Sequence, residues 1–306
     1  MTTASLGLGG FITGRQHTSK IEKKVIQNSV KPFSFCLNAS TLRGQKLGIV
    51  GELEVASKAG FDGMEVWING IQAYLEQGGK LKELKMRIDD LGLKIEDAIG
   101  FAQWIVDDEV VRTKAIEQLK VEMDMLAQIG CARIAAPPAG ATNEAGLDLD
   151  AAGERYHAIL DLGVEFGVIP QLELWGFSAN LHKLSQVVYV AAESGHPAAR
   201  ILPDVYHLYK GGSDFHSLKL LNPDIVEIFH VNDYPSSPPR TEINDSHRVY
   251  PGDGVAPMKQ ILTDLKNERE TTVLSLELFN QEYWAQDALE VAKKGLAKMK
   301  ASVEGV

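Results

Sequence analysis

Cysteine is scarce in this chain: two, Cys36 and Cys131, in 306 residues. A pair so far apart in sequence suits neither a disulfide framework nor a Cys-rich zinc site, and both read as small core residues. Long apolar runs are missing too: no stretch approaches the ~18–20 consecutive apolar residues that a bilayer-spanning helix requires. Basic residues are outnumbered, 31 Lys and Arg against 41 Asp and Glu for a formal charge of −10. That balance repels a phosphate backbone and argues against nucleic acid as a partner. A Gly-rich turn for a dinucleotide is also absent, because the segment after the first strand candidate reads NASTLRGQ. What remains is ordinary globular composition, 44% apolar and 24% charged, enough to bury a sizeable core.

The opening residues, MTTASLGLGGFITGRQ, are small and apolar with no Lys or Arg before Arg15. They resemble the later half of an export signal without its charged beginning. We read residues 1–30 as a loose tail outside the fold. The expected location is cytoplasmic, with periplasmic export the alternative if the tail is a truncated signal.

From Lys31 onward, short β-rich runs alternate with stretches of helical period. Eight strand candidates open near Phe33, Asp62, Leu93, Ala132, Ile169, Arg200, Ile225 and Thr272, an average spacing of about 34 residues, which suits a strand, a helix and two loops. Val111, Ala115, Leu119, Met123 and Leu126 step by three or four, as do Ala288, Ala292, Leu296 and Met299, so each series forms one buried helical stripe. Gly60, Gly92 and Gly130 sit where a helix hands over to a strand, a position that favours a residue without a Cβ. Eight such units closing on themselves predict an α/β fold, a single (β/α)8 TIM barrel over residues 31–306. The connections 137–150 and 232–255 are too long for simple joints and both leave the C-terminal ends of strands, where barrel enzymes carry their active sites.

Four polar residues end otherwise apolar strand runs: Glu173 in QLELWG, Asp204 in LPDVYH, His230 in FHVND and Glu277 in SLELFN. In adjacent barrel strands their side chains can converge on the axis. Three buried carboxylates, with no Lys or Arg inside the four motifs, would repel strongly. A divalent metal ion removes the conflict, and the oxygen and nitrogen donor set suits Mn2+ first, then Mg2+ or Co2+, with Zn2+ in the same range. Aromatic faces at a barrel mouth cover a ligand and exclude water, which makes Trp104 and Trp175 substrate-binding candidates, and Glu65 at the end of the second strand is a candidate acceptor for a substrate hydroxyl.

LELWG, DVYH, HVNDYP with a downstream RVYPGDG, and LSLELF together resemble the xylose isomerase-like TIM barrel family of sugar isomerases and epimerases, with ketose 3-epimerases, hydroxypyruvate isomerases and inosose dehydratases among its members. The resemblance spans about residues 31–300. It implies one divalent metal on Glu173, Asp204, His230 and Glu277, with the two glutamates as catalytic proton carriers. Chelation of a hydroxyl and a carbonyl oxygen by that cation makes the intervening C–H acidic by stabilising an enediolate, and return of the proton on the opposite face gives epimerisation, to the neighbouring carbon aldose–ketose isomerisation. It also implies substrate contacts from His207, in the D-x-x-H pair with Asp204, and from Arg248, reaching over the site. One departure stands out: ketose 3-epimerases carry a further Glu shortly after the fifth-strand ligand, where this chain has Gly176, Phe177, Ser178 and Ala179. The expected partner is a small sugar or polyol-derived ketone, with neither nucleic acid nor membrane, and the family's habit of pairing implies a homo-oligomer.

An inosose dehydratase-like lyase would use the same metal and the same proton abstraction but expel a β-hydroxyl, and the sequence does not separate the two. A three-zinc endonuclease would need more histidines and basic loops than this chain offers. A sugar-binding module without turnover is disfavoured by the retained Glu173 and Glu277.

Overall fold

The computed structural model describes residues 31–306, so the reading of residues 1–30 as a tail lies outside it. The eight strands are β1 (Phe33–Asn38), β2 (Gly63–Trp67), β3 (Lys94–Ile99), β4 (Arg133–Ala136), β5 (Ile169–Glu173), β6 (Arg200–Leu202), β7 (Ile228–Val231) and β8 (Thr272–Leu276), with helices in the intervals. Every ladder is parallel. One set runs β3-β2-β1-β8-β7 and a second β4-β5-β6. The sets meet where His230 N donates to Pro203 O at 3.0 Å and where β3 lies beside β4, closing the barrel.

Alternation along the strands separates two apolar layers. Phe35 and Leu37 join the large core beneath the surrounding helices, whereas Cys36 packs with Ile99, Ala135, Leu202, Ile228 and Val273 from five other strands. The period of two in a strand buried on both faces accounts for this division. At the N-terminal end of the bore, Glu227 binds the Nε atoms of both Arg133 and Arg200, and Arg133 also donates to Glu96 O at 3.1 Å. Gly60 and Gly130 end their helices with φ of 91° and 79°, as the spacing predicted.

Two local departures shape the site. The sixth strand is shorter than its apolar run: it stops at Leu202, and Pro203 and Asp204 lead into a helix at Val205–Gly211. Between β2 and β3 the register slips at Met64/Glu65, so that Glu65 pairs with Asp97 and Glu96 is the extra residue. A bulge of this kind re-aims the side chains that follow it.

The long connection after β7 is held from inside. The Asp233 backbone exchanges two hydrogen bonds with Val249, each 2.9 Å, while its carboxylate accepts from the amides of Tyr234, Gly252, Gly254 and Ala256 at 2.8–3.1 Å. The chain is thereby turned back over the barrel mouth with Arg248 next to the bridge. The other long connection is tied to the loop after β5: Asn180 donates to Ala141 O and Glu144 O, and Ala179 N donates to Thr142 O, all at 2.7 Å. No helix among the described residues is long and apolar enough to cross a membrane. Asp233→Ala strands four amides in a partly buried loop, and urea unfolding should show a loss of about 2–4 kcal/mol; unchanged stability would mean that the loop holds its shape without this carboxylate.

Candidate functional site

Each candidate donor is positioned by the end of a strand. Asp204 is extended, with φ −140° and ψ 139°, and its Oδ1 caps the following helix by accepting from His207 N at 2.6 Å. The D-x-x-H spacing is thus an N-cap and its third helical residue, which leaves Oδ2 facing the barrel axis. His230 lies within β7, and Glu277 directly follows β8. Donor atoms from Asp204, His230 and Glu277 all fall within 4.8 Å of one another. Glu173, the last residue of β5, lines the same cavity as Glu277 but stands outside that tight trio.

His230 is oriented from behind. Its Nε2 is 2.9 Å from Glu65 Oε1, while Glu65 Oε2 accepts from Ser275 Oγ and Asn38 Nδ2, both at 2.6 Å. The expectation of a substrate contact for Glu65 is therefore corrected: fully buried among these partners, it holds the imidazole and does not line the cavity. A carboxylate behind a histidine fixes the tautomer and ring angle of a metal-binding imidazole. The forward nitrogen, Nδ1, is 3.2 Å from Glu277 Oε2 yet lacks the angle of a hydrogen bond. Buried and without a partner, it joins Glu173 Oε2 as an unsatisfied atom, and the pair of orphans fits a donor set made for an ion.

The four motifs contain no basic residue, but a distant loop brings one into the cluster. Arg248, 1% exposed, comes in from the loop after β7, and its Nη1 lies 3.0 Å from Asp204 Oδ2 and 2.7 Å from Glu277 Oε2. Nη2 reaches Asp245 and the Nε2 of His207, the latter at 3.0 Å. Tyr206 and Phe279 cover the guanidinium, which lies 4.5 and 5.0 Å from their ring centres. One guanidinium does not neutralise the cluster, since Glu65, Glu173, Asp204, Asp245 and Glu277 all belong to it. Asp204 and Glu277 each present two oxygens, so the pairing with Arg248 and the coordination of an ion are compatible in kind.

The leftover negative charge appears as displaced acidities. Burial, with the charge of Glu277 adding to it, pushes Glu173 up to about 8 against the opposing pull of His230. Glu277 is driven the other way: burial would raise it, but His230 and Arg248 hold it well below the usual carboxylate range. For His230, burial opposes the charged form, yet Glu277 and Glu65 outweigh that and keep the ring protonated well above its ordinary range. His207 moves down through burial and the adjacent Arg248, so its ring is neutral. The two glutamates therefore stand in opposite protonation states near neutrality, the arrangement that separates an acid from a base.

A cavity of about 230 Å³ opens above these groups. Besides Glu173, Glu277, His207 and Arg248, its wall includes Trp67, Phe101, Trp175, Phe177 and Phe279. Trp175 thus lies where its strand position suggested. Trp104 does not: it is 1% exposed, packs at a tilt against Tyr156 and donates Nε1–H to Pro137 O at 3.0 Å, so the expectation of a substrate-facing indole is corrected to a core role. Gly176 permits the close approach of the loop bearing Trp175 and Phe177, because a Cβ there would sit 2.3 Å from His207 O. Sequence reasoning missed Asn38 and Asn232. Asn38 links Glu65 to Glu277, and Asn232 Nδ2 donates to Asp204 Oδ2 at 2.8 Å. Their signal was an amide closing an apolar strand, as in FCLN and HVND.

Comparison with known proteins agrees with this geometry. The family model described as xylose isomerase-like TIM barrel matches residues 53–301. The chain is 25% identical over 267 residues to an inosose isomerase of Halalkalibacterium halodurans, covering 84% of this chain and 93% of that protein. It is also 25% identical over 259 residues to a 3-dehydroshikimate dehydratase of Pseudomonas putida, there covering 81% of this chain but 39% of the relative. Among solved structures, an IolI protein with a bound zinc atom superposes with a TM-score of 0.83 at 22% identity, covering 89% of this chain and 98% of that one. The closed parallel barrel and a family match over most of its length lead to one conclusion: the chain belongs to the xylose isomerase-like TIM barrel family.

Proposed function

We propose that this protein is a metal-dependent sugar isomerase or epimerase in which Glu277 and Glu173 carry the proton. The observation behind this reading is the convergence of Asp204, His230 and Glu277 beneath a cavity that Glu173 also lines. The residues that would hold the ion are those three and Glu173, and Mn2+ leads the metals compatible with their oxygens and nitrogen. When bound, such an ion supplies Lewis acidity toward vicinal oxygens of the substrate.

The chain's own groups then divide the work. Glu277, ionised, is the base for a C–H next to the substrate carbonyl, and Arg248 beside it keeps the carboxylate charged. Glu173, which burial pushes up to about 8, is the group that returns a proton, one it takes from solvent in each cycle once a bound ion has displaced its own. His207 and Arg248 on the cavity wall are placed to orient substrate oxygens. Return to the far face of the same carbon gives an epimer, return to its neighbour gives the isomer, and protonation of a β-hydroxyl gives loss of water. The similarity to a 3-dehydroshikimate dehydratase keeps that last outcome, an inosose dehydratase-like lyase, as the second reading. The mass of the product separates the two.

Three measurements test the proposal. With an active sugar substrate identified, Glu277→Gln should abolish deuterium uptake from solvent at the reacting carbon, and full retention of exchange removes Glu277 as proton carrier. Loading Mn2+ near pH 7 must displace protons from His230 and Glu173, because both are protonated in the metal-free state. Apparent affinity therefore rises with pH, through about 8 as the Glu173 proton ceases to compete and further as His230 gives up its own. Calorimetry in buffers of different ionisation enthalpy should record that release, smaller in Glu173→Gln; an identical release in the variant takes Glu173 out of the ligand set. Finally, Glu65→Gln should weaken Mn2+ binding by about 10–100-fold through loss of the carboxylate behind His230; unchanged affinity would reduce Glu65 to packing.

A further inference from the structure

The cavity wall is divided into two kinds of surface. The hydrogen-bonding groups gather around Arg248, while the remainder is a continuous arc of rings. Starting beside the Arg248 guanidinium, the arc runs from Phe279 to Trp67, Phe101, Trp175 and Phe177, with successive centroids 6.2, 5.4, 6.1 and 5.2 Å apart. Phe177 then stands 5.7 Å from the His207 ring, and His207 is bonded back to Arg248. The aromatic arc and the polar cluster together encircle the mouth.

Within the arc, Phe101 and Phe177 are 43% and 49% exposed and flank Trp175. Rings that open to water beside a cavity are a ligand-binding surface rather than core. The Trp67 indole N–H is already committed to Asn38 Oδ1 at 3.1 Å, and phenylalanine rings offer no partner to a hydroxyl. Apart from the Trp175 indole N–H, the outer hydroxyls of a bare polyol would therefore find few partners along these rings, whereas a flat apolar group would cover them. At about 230 Å³ the cavity itself is smaller than the ~300–1,000 Å³ of ordinary ligand pockets. It accommodates a sugar-sized portion and leaves the outer rings for something attached to it.

We infer that the substrate carries an aryl or similarly flat apolar substituent on the side remote from the reacting carbon, docked on Phe101, Trp175 and Phe177. This rests on the reading of the cavity as a sugar site and extends it outward. The sugar ketone occupies the inner part near Glu277, and the substituent buries the exposed rings. Stacking of this kind supplies affinity without hydrogen bonds, so it discriminates among substrates by what the sugar bears.

The test uses two probes, phenyl β-D-glucopyranoside and methyl β-D-glucopyranoside, titrated into the metal-free full chain by calorimetry and by emission of the tryptophans in the arc. The phenyl glycoside should bind about tenfold more tightly than the methyl one. In the Phe101→Ala, Phe177→Ala double variant that ratio should fall to about one. Because both rings are solvent-exposed, the variant should keep its fold, which its melting temperature verifies. Equal affinity for the two probes in the unaltered protein overturns the inference, as does a ratio that survives in the variant or an absence of binding by either glycoside. The measurement needs no metal and no turnover. A phenyl preference without solvent exchange retires the isomerase reading and keeps the subsite; exchange without the preference retires the subsite alone.

Discussion

Excess negative charge buried at one end of a barrel is the constraint around which this protein is organised. Taking a carboxylate out of water is costly unless it is paired or coordinated, and four buried ones, with the partly exposed Asp245 beside them, share the cluster with a single guanidinium. Much of the neighbourhood is arranged in answer to that conflict. Arg248 is carried in on a loop pinned by Asp233, His230 holds a proton, and Glu173 is pushed up to about 8. Asn38, Asn232 and Ser275 donate to carboxylate oxygens that would otherwise be bare. A divalent ion would relieve the same strain in another way, by replacing the protons on His230 and Glu173 with charge.

The site is thus sorted by protons before any ion enters. In the metal-free state the glutamates are already distinguished, one acidic and one basic, although they are chemically identical in the sequence. The distinction arises because Glu277 touches Arg248 and His230 whereas Glu173 leaves Oε2 without a hydrogen-bond partner. The aromatic arc serves the same electrostatics from the opposite side. By lining much of the mouth with rings it limits water near the cluster, and charge interactions in such a setting are stronger than in solvent.

Arg248 enters the cluster from outside the strand-end motifs. Within the four strand-end motifs there is no basic residue, and the conflict among their acids was legible for that cause. The residue that partly answers it lies 18 positions after His230 in the chain, beyond any local pattern. It is returned to the site by the Asp233–Val249 bridge and by a carboxylate that gathers four amides. Glu65 and Trp104 were placed at the mouth on the strength of strand position alone. A register slip turned the first toward His230, and a contact with Pro137 buried the second.

Periodicity and spacing by themselves determined the barrel: eight apolar runs about 34 residues apart, helical stripes between them, and glycines at the handovers, each a local rule that neighbouring residues enforce on one another. They also determined which four donors end their strands, because a polar residue in an otherwise apolar run is visible without coordinates. Tertiary structure alone decided how those donors divide. That Asp204, His230 and Glu277 form a tight trio while Glu173 stands apart, that an arginine shares their charge, and that Phe101 and Phe177 complete an arc with Trp175 are outcomes of loop closure and strand register. Such features depend on contacts between residues distant in the chain, and pairwise distances of that kind have no period for a sequence to display.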